Sequence, residues 1–142
     1  MSIEQNKAVA RRWPEEIFSK GDLTVIDEIV SPDYFDNTPT PTVEGLRQAI
    51  RNLHATYNNI RITVEDQIAE GDKVVNRLRG EATYSGGESG LPDTSIGKHI
   101  VMTGIDIFRF ANGKIVERCV VADLLSWYQQ LGMTLTPKQS DS

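Results

Sequence analysis

Asn112-Gly113 is the dipeptide that most narrows the folds open to this chain. It stands between two runs of alternating apolar residues, HIVMTGIDIFRFA before it and KIVERCVVA after it. Asn-Gly supplies the left-handed residues of a two-residue hairpin turn, so the two runs read as antiparallel strands. More strand pattern precedes them. Ile60, Ile62 and Val64 alternate with Arg61, Thr63 and Glu65, the mark of a sheet with one buried face. Gly71-Asp72 turns the chain, and Val74 to Tyr84 is a second strand. SGGESGLPDTSIG is a long flexible loop. His99 to Ala111 is the third strand, and Ile115 to Ala122 the fourth.

The N-terminal third has a different period. Val9, Trp13 and Ile17, joined by Ala10 and Phe18, form a helical stripe. Pro14 either kinks that helix or opens a second one in its first turn. Gly21 ends the element, and Asp22 caps a short helix carrying Leu23, Ile26 and Ile29. SPDYFDNTPTPT, with three prolines, reads as a loop. A helix follows from about Val43 to Thr56, with Leu46, Ile50, Leu53 and Tyr57 on one face. A last helix carries Leu124, Leu125, Tyr128 and Leu131 and stops at Gly132. Helices first and a meander of strands afterwards make an α+β fold. The pattern predicts one domain over residues 1–133 and a disordered polar tail over 134–142. A strongly bent sheet over the helices encloses a pocket.

The 142 residues carry a net charge of -5, which argues against nucleic acid or an anionic membrane as partner. No apolar run approaches the roughly 20 residues of a membrane span. MSIEQNKAVARRW lacks the apolar core of a signal peptide. The lone cysteine, Cys119, forms no internal disulfide and fits a reducing compartment. The expected location is the cytoplasm.

The hairpin orders the side chains. If Ala111 pairs with Lys114, then Phe108 faces Glu117, Asp106 faces Cys119, Gly104 faces Val121 and Met102 faces Asp123. Residues two apart share a face. Met102, Asp106, Phe108, Cys119, Val121 and Asp123 are therefore expected on the concave side, which gives an apolar pocket two acids. Val101, Ile105, Ile107, Val116 and Val120 are expected on the convex side, as the surface of a homodimer. An acid in an apolar pocket is costly to ionise, which is how a carboxylate becomes a base useful near neutral pH. Each acid also has a plainer reading: Asp123 as the cap of the following helix, Asp106 as a bulge residue or the partner of a local arginine.

The chain resembles the SnoaL-like polyketide cyclases, also labelled ester cyclases, of the nuclear transport factor two-like superfamily. The resemblance runs from about Ala8 to Met133. Its motifs here are FSKGD, SPDYFDNTPTP, VEDQIAEGDKVVNRLRGEATYSG, GKHIVMTGIDIFRFANGKIVE and VVADLLSWYQQLG. It implies a cone-shaped α+β barrel, a homodimer and an apolar pocket. It also implies ring closure by intramolecular aldol condensation without metal or organic cofactor. On this resemblance Asp123 is the general base. The chain departs from the family at three points. Asn37 and Tyr84 stand where relatives often carry histidine, and Glu117-Arg118-Cys119 replaces Glu-His-Trp. Asn37 and Tyr84 still offer hydrogen bonds to a substrate oxygen.

Trp13, Phe18 and Tyr34 read either as pocket mouth or as plain core. His54 reads as solvated on its helix, and His99 as facing away from the pocket. No residue pair has metal-ligand spacing. Two functions follow. One is a cofactor-independent polyketide cyclase, or an isomerase using the same proton abstraction beside a carbonyl, acting on a small apolar or polyketide-like molecule, with Asp123 catalytic and Asn37, Tyr84, Asp106, Cys119, Met102, Trp13 and Tyr34 around the substrate. The other is a small-molecule-binding or dimeric assembly protein on the same fold.

Overall fold

The computed structural model describes residues 2–139. Of the polar tail, 140–142 lie outside the described residues, and 134–139 take no regular element. In chain order the elements are α1 (Ile3–Arg12), a π-helical turn (Trp13–Phe18), α2 (Thr24–Ile29), β1 (Val30–Asp36), α3 (Val43–Thr56), β2 (Tyr57–Glu70), β3 (Lys73–Tyr84), a short 3-10 turn (Asp93–Ser95), β4 (His99–Ala111), β5 (Lys114–Ala122) and α4 (Leu124–Gln130). The sheet runs β1-β5-β4-β3-β2. β2 to β5 form the expected antiparallel meander. Register shifts at Asn58/Arg61 and Val64/Asp66 bend β2, and the sheet curves over the N-terminal helices as the α+β cone requires.

β1 corrects one expectation. Ser31 to Asp36 is not loop but an edge strand, parallel to β5, with Val30 beside Ile115 and Asp36 beside Arg118. Pro32 is tolerated there because an edge strand leaves one row of N–H groups unpaired. The residues after it do form a loop.

Pro14 settles the choice at the N-terminal stripe. The helix continues without a break, but as a π turn in which Ser19 N–H donates to the Pro14 carbonyl at 2.9 Å. Pro14 has no N–H to give the Ala10 carbonyl. Asn76, fully buried on β3, fills the vacancy through Nδ2 at 3.0 Å. Gln67 Nε2 bonds both the Lys7 carbonyl and Asn76 Oδ1, at 2.9 Å each. The helix is thus held to the sheet by polar as well as apolar contacts.

Two apolar clusters fill the cone. One gathers Trp13, Ile17, Ile26, Ile50, Phe108 and Ile115 with their neighbours. The other gathers Tyr57, Ala82, Tyr84, Ile100 and Leu131, with Leu53, Ile60 and Trp127 packed against it. Burial of each large side chain contributes about 1.5–3 kcal/mol. The face that α4 buries differs from expectation: Leu131 is fully buried and Trp127 half-buried, while Leu124 and Leu125 are exposed. Gln130 fixes this orientation. Its side-chain amide exchanges two hydrogen bonds with the Val101 backbone, at 2.8 and 2.7 Å. Among the described residues no helix is long and apolar enough to cross a membrane.

Candidate functional site

A cavity of about 140 Å³ lies between the two clusters. Trp13, Pro14 and Phe18 of the π turn close one side. The inner faces of β2 to β5 supply Ile62, Leu78, Gly80, Met102, Gly104 and Val120, while Leu53 and Trp127 come from α3 and α4. The space exists partly because Gly80 and Gly104 carry no side chain. At Gly104 a Cβ would come within 3.2 Å of the Val121 carbonyl oxygen. The walls are almost wholly apolar.

Glu81, half-buried at the lining, is paired with Arg79, and the buried polarity is at one place. Arg118 Nε donates to Asp106 Oδ1 at 2.8 Å, and both residues are buried. The rings of Trp13 and Phe18 lie 5.1 and 5.5 Å from the guanidinium carbon. Contacts of that kind favour a cation most where water is excluded. Tyr34 stands behind, donating to Asp36 Oδ2 at 2.6 Å. Burial pushes the Asp106 carboxyl above its ordinary range, and Arg118 pulls against that shift. Burial works against the charge on Arg118 too, but Asp106 and Tyr34 more than restore it. Burial likewise raises Tyr34, with Arg118 opposing. Arg118 therefore stays a cation, and Tyr34 stays a donor.

The strand parity expected for β5 is wrong beyond one residue. The turn is as read, with Ala111 beside Lys114, and both Asn112 and Gly113 have positive φ, 52° and 77°. Phe110 then pairs with Ile115, but Arg109 pairs with Glu117. Val116 is a bulge. From there every side chain of β5 changes face. Phe108 pairs with Arg118, Ile107 with Cys119 and Ile105 with Val121. Arg118, Val120 and Ala122 look into the cavity, while Cys119 and Val121 are exposed on the convex face.

Four expected site residues are elsewhere, Cys119 and Asp123 because of this bulge. Asp123 is exposed and caps α4, accepting from Ser126 N–H at 3.0 Å. It borders a shallow outer groove with Arg77, Thr103 and Val121. Cys119 is on the outer surface. Asn37 is exposed, and its amide is taken up by the Val120 backbone, donating to the carbonyl at 3.0 Å and accepting from the N–H at 2.9 Å. Tyr84 is buried in the second cluster, where its hydroxyl accepts from Glu88 N–H at 2.9 Å. The structure does bring Asp106, Met102 and Trp13 to the cavity. Tyr34 does not line the cavity and lies behind Arg118 and Trp13.

The sequence pattern does not place Arg118, Trp127 or the two glycines at the cavity they line. The glycines had a readable signal, since a glycine inside a strand often marks a close approach or an open space. Arg118 was hidden by the bulge. The histidines lie outside the cavity: His54 Nε2 is 2.7 Å from the Phe18 carbonyl oxygen, and His99 is exposed. Among the described residues no three His, Cys, Asp or Glu side chains gather to hold a metal.

Comparison with known proteins matches this architecture. TsrD from Streptomyces laurentii superposes with a TM-score of 0.83 at 27% identity, over 93% of this chain and 98% of that one. A proposed polyketide cyclase from Bacillus cereus gives 0.76 at 31% identity, over 90% and 80%. IdmH from Streptomyces antibioticus, also a proposed polyketide cyclase, gives 0.77 at 26% identity, over 92% and 99%. No curated protein matches the sequence significantly. The family model for the SnoaL-like polyketide cyclases matches residues 8–131. With that match over most of its length, the chain belongs to the SnoaL-like polyketide cyclase family.

Proposed function

We propose that this chain binds a small apolar carbonyl compound, polyketide-like in character, and transfers a proton at the carbon beside the carbonyl. Ring closure by intramolecular aldol condensation is the reaction. The observation that carries the reading is the Asp106–Arg118 pair set into an otherwise apolar cavity. Arg118 occupies only Oδ1 of Asp106, and Oδ2 takes no hydrogen bond among the described residues. Asp106, not Asp123, is the base in this reading. It takes the proton from carbon, and the electron pair moves onto the carbonyl oxygen as an enolate. Arg118 holds that negative charge in a site from which water is largely excluded. The enolate carbon then attacks a second carbonyl, and the new alkoxide recovers the proton from Asp106. The cavity limits what enters. An engineered cavity of about 150 Å³ accepts benzene, so about one ring fits here and the rest of a longer molecule stays at the mouth.

Deuterium exchange into the methyl group of para-fluoroacetophenone tests this. The wild type should accelerate exchange in deuterium oxide. Asp106→Asn should lose about a hundred- to ten-thousand-fold of that acceleration and still bind, as read by fluorine NMR. A wild type no faster than buffer would overturn the enzyme reading. Binding without exchange would support a second one: a protein that holds an apolar molecule without turning it over. The self-paired Asp106 and Arg118, and the commitment of Asn37 and Tyr84 to other partners, favour that second reading.

The convex face belongs to the same proposal. Ile105 pairs with Val121 and Ile107 with Cys119, and all four are exposed. Leu124 and Leu125 continue the apolar surface onto α4. A second copy of the chain covers this face in our reading, because so large an apolar patch is unusual on a monomer. It replaces the set expected from sequence, in which Val120 was placed outside. The lone cysteine keeps the cytoplasm as the proposed location.

A further inference from the structure

Glu88 sits in the glycine-rich loop after β3, on none of the walls of the cavity, yet it is tied to one of them. Its carboxylate accepts from Tyr57 Oη at 2.8 Å through Oε2 and from Tyr128 Oη at 3.0 Å through Oε1. Its backbone N–H donates to Tyr84 Oη at 2.9 Å. The Tyr57 hydroxyl, committed as donor to Glu88, accepts from Trp127 Nε1 at 2.9 Å. Tyr57 and Trp127 also meet edge to face, with ring centroids 5.1 Å apart. Trp127 lines the cavity.

The strand register shows which end of the cavity this is. Asp106 pairs with Asn76, whereas Gly80 pairs with Met102 and Ala82 with Ile100. Ala82 is six residues along β3 from Asn76, about 20 Å in extended chain. Trp127 packs in the cluster of Ala82 and Tyr57, so it closes the end remote from Asp106 and Arg118. Burial, then Glu88, raises the titration of Tyr57, and the same holds for Tyr128. Both hydroxyls therefore remain donors through the ordinary pH range.

We propose that Glu88 is a positioning residue that sets the length of ligand the cavity accepts. It orients the Tyr57 hydroxyl, which fixes the Trp127 indole as the far wall. An indole N–H half-buried against apolar neighbours gains from having an acceptor held in place. Without that acceptor the ring is free to turn, and the cavity lengthens away from the Asp106–Arg118 pair. The inference rests on the cavity being a ligand site and adds what limits the ligand.

Fluorine NMR with two aryl ketones tests it: para-fluoroacetophenone, with one ring, and a fluorinated acetylnaphthalene, with two. The wild type should prefer the one-ring ketone. Tyr57→Phe and Glu88→Ala should each shift the ratio of the two dissociation constants toward the larger ketone by about tenfold. The double variant should shift it no further, because the residues act in series. Glu88→Gln, which keeps an oxygen acceptor for Tyr57, should restore the wild-type ratio. Tyr128→Phe, which breaks a Glu88 contact off the path to Trp127, should leave it unchanged. A purely structural Glu88 would lower melting temperature without moving the ratio, and that result would overturn the proposal. So would an equal shift in Tyr128→Phe. A wild type that binds neither ketone would overturn the cavity reading itself, and this inference with it.

Discussion

Arg118 reaches diagonally across adjacent strands to Asp106, Nε to Oδ1 at 2.8 Å, and the two form the buried polar pair of the cavity. Removing two charges from water costs several kcal/mol each, and their attraction repays this only where geometry is good. The pair is therefore a weak source of net stability but a costly thing to break. Arg118→Met alone should destabilise the chain by about 3–5 kcal/mol, because Asp106 is left buried without its partner. The double variant Arg118→Met, Asp106→Leu should recover most of that loss. Urea unfolding of the three proteins checks it. Equal losses in the single and double variants would mean that packing, not the pair, is what matters.

The pH dependence follows from the direction of the Asp106 shift. Burial raises the folded carboxyl above its ordinary value near 3.8, with Arg118 opposing. The native state thus holds this proton more tightly than the unfolded chain does. The resulting stability is fully present below the unfolded value and is lost as pH rises through the folded one. Relative to Asp106→Asn, the wild type should lose unfolding free energy as pH rises above the ordinary carboxylate value. Any exchange activity should rise over the same window, since the base works only when ionised. The opposite slope would show Asp106 to be held down by Arg118 more than it is lifted by burial.

The sequence pattern identified the turn at Asn112-Gly113, α3 from Val43 to Thr56, and the inward face of β4 through Asp106 and Phe108. Those are local matters of period and turn chemistry. What failed was also physical. Ile115 and Val116 are both β-branched, and nothing in their order says which one is the extra residue. That one bulge reverses the face of every later residue of β5, which took Cys119 and Asp123 out of the cavity and put Arg118 in. β1 has the composition of a loop, because its partner, β5, is about 80 residues away and local composition carries no trace of that pairing.

The convex face gives a test of assembly. Val121, 69% exposed, stands beside Ile105 and projects away from the cavity. Val121→Arg puts a charge into the proposed contact between copies, where its desolvation is not repaid. Light scattering should show a dimer for the wild type and a monomer for the variant, with binding of para-fluoroacetophenone kept. A monomeric wild type would leave this patch without the partner assigned to it.

Asp123 is the residue on which sequence resemblance and geometry disagree most. Its carboxylate caps α4 through the Ser126 N–H and faces the outer groove, across the sheet from Asp106. If that contact is its whole role, Asp123→Ala should cost about 0.5–2 kcal/mol, the usual loss for an N-cap. Asp123→Asn should cost much less, since an asparagine oxygen accepts the same bond. Neither variant should alter ketone binding or deuterium exchange. Asp106→Asn should show the reverse pattern, with exchange lost and the α4 cap intact. Exchange abolished in Asp123→Asn but kept in Asp106→Asn would return the base to the strand end. It would also mean that the cavity opens toward the convex face during turnover, past Gly104 and Ala122, which line both the cavity and the outer groove.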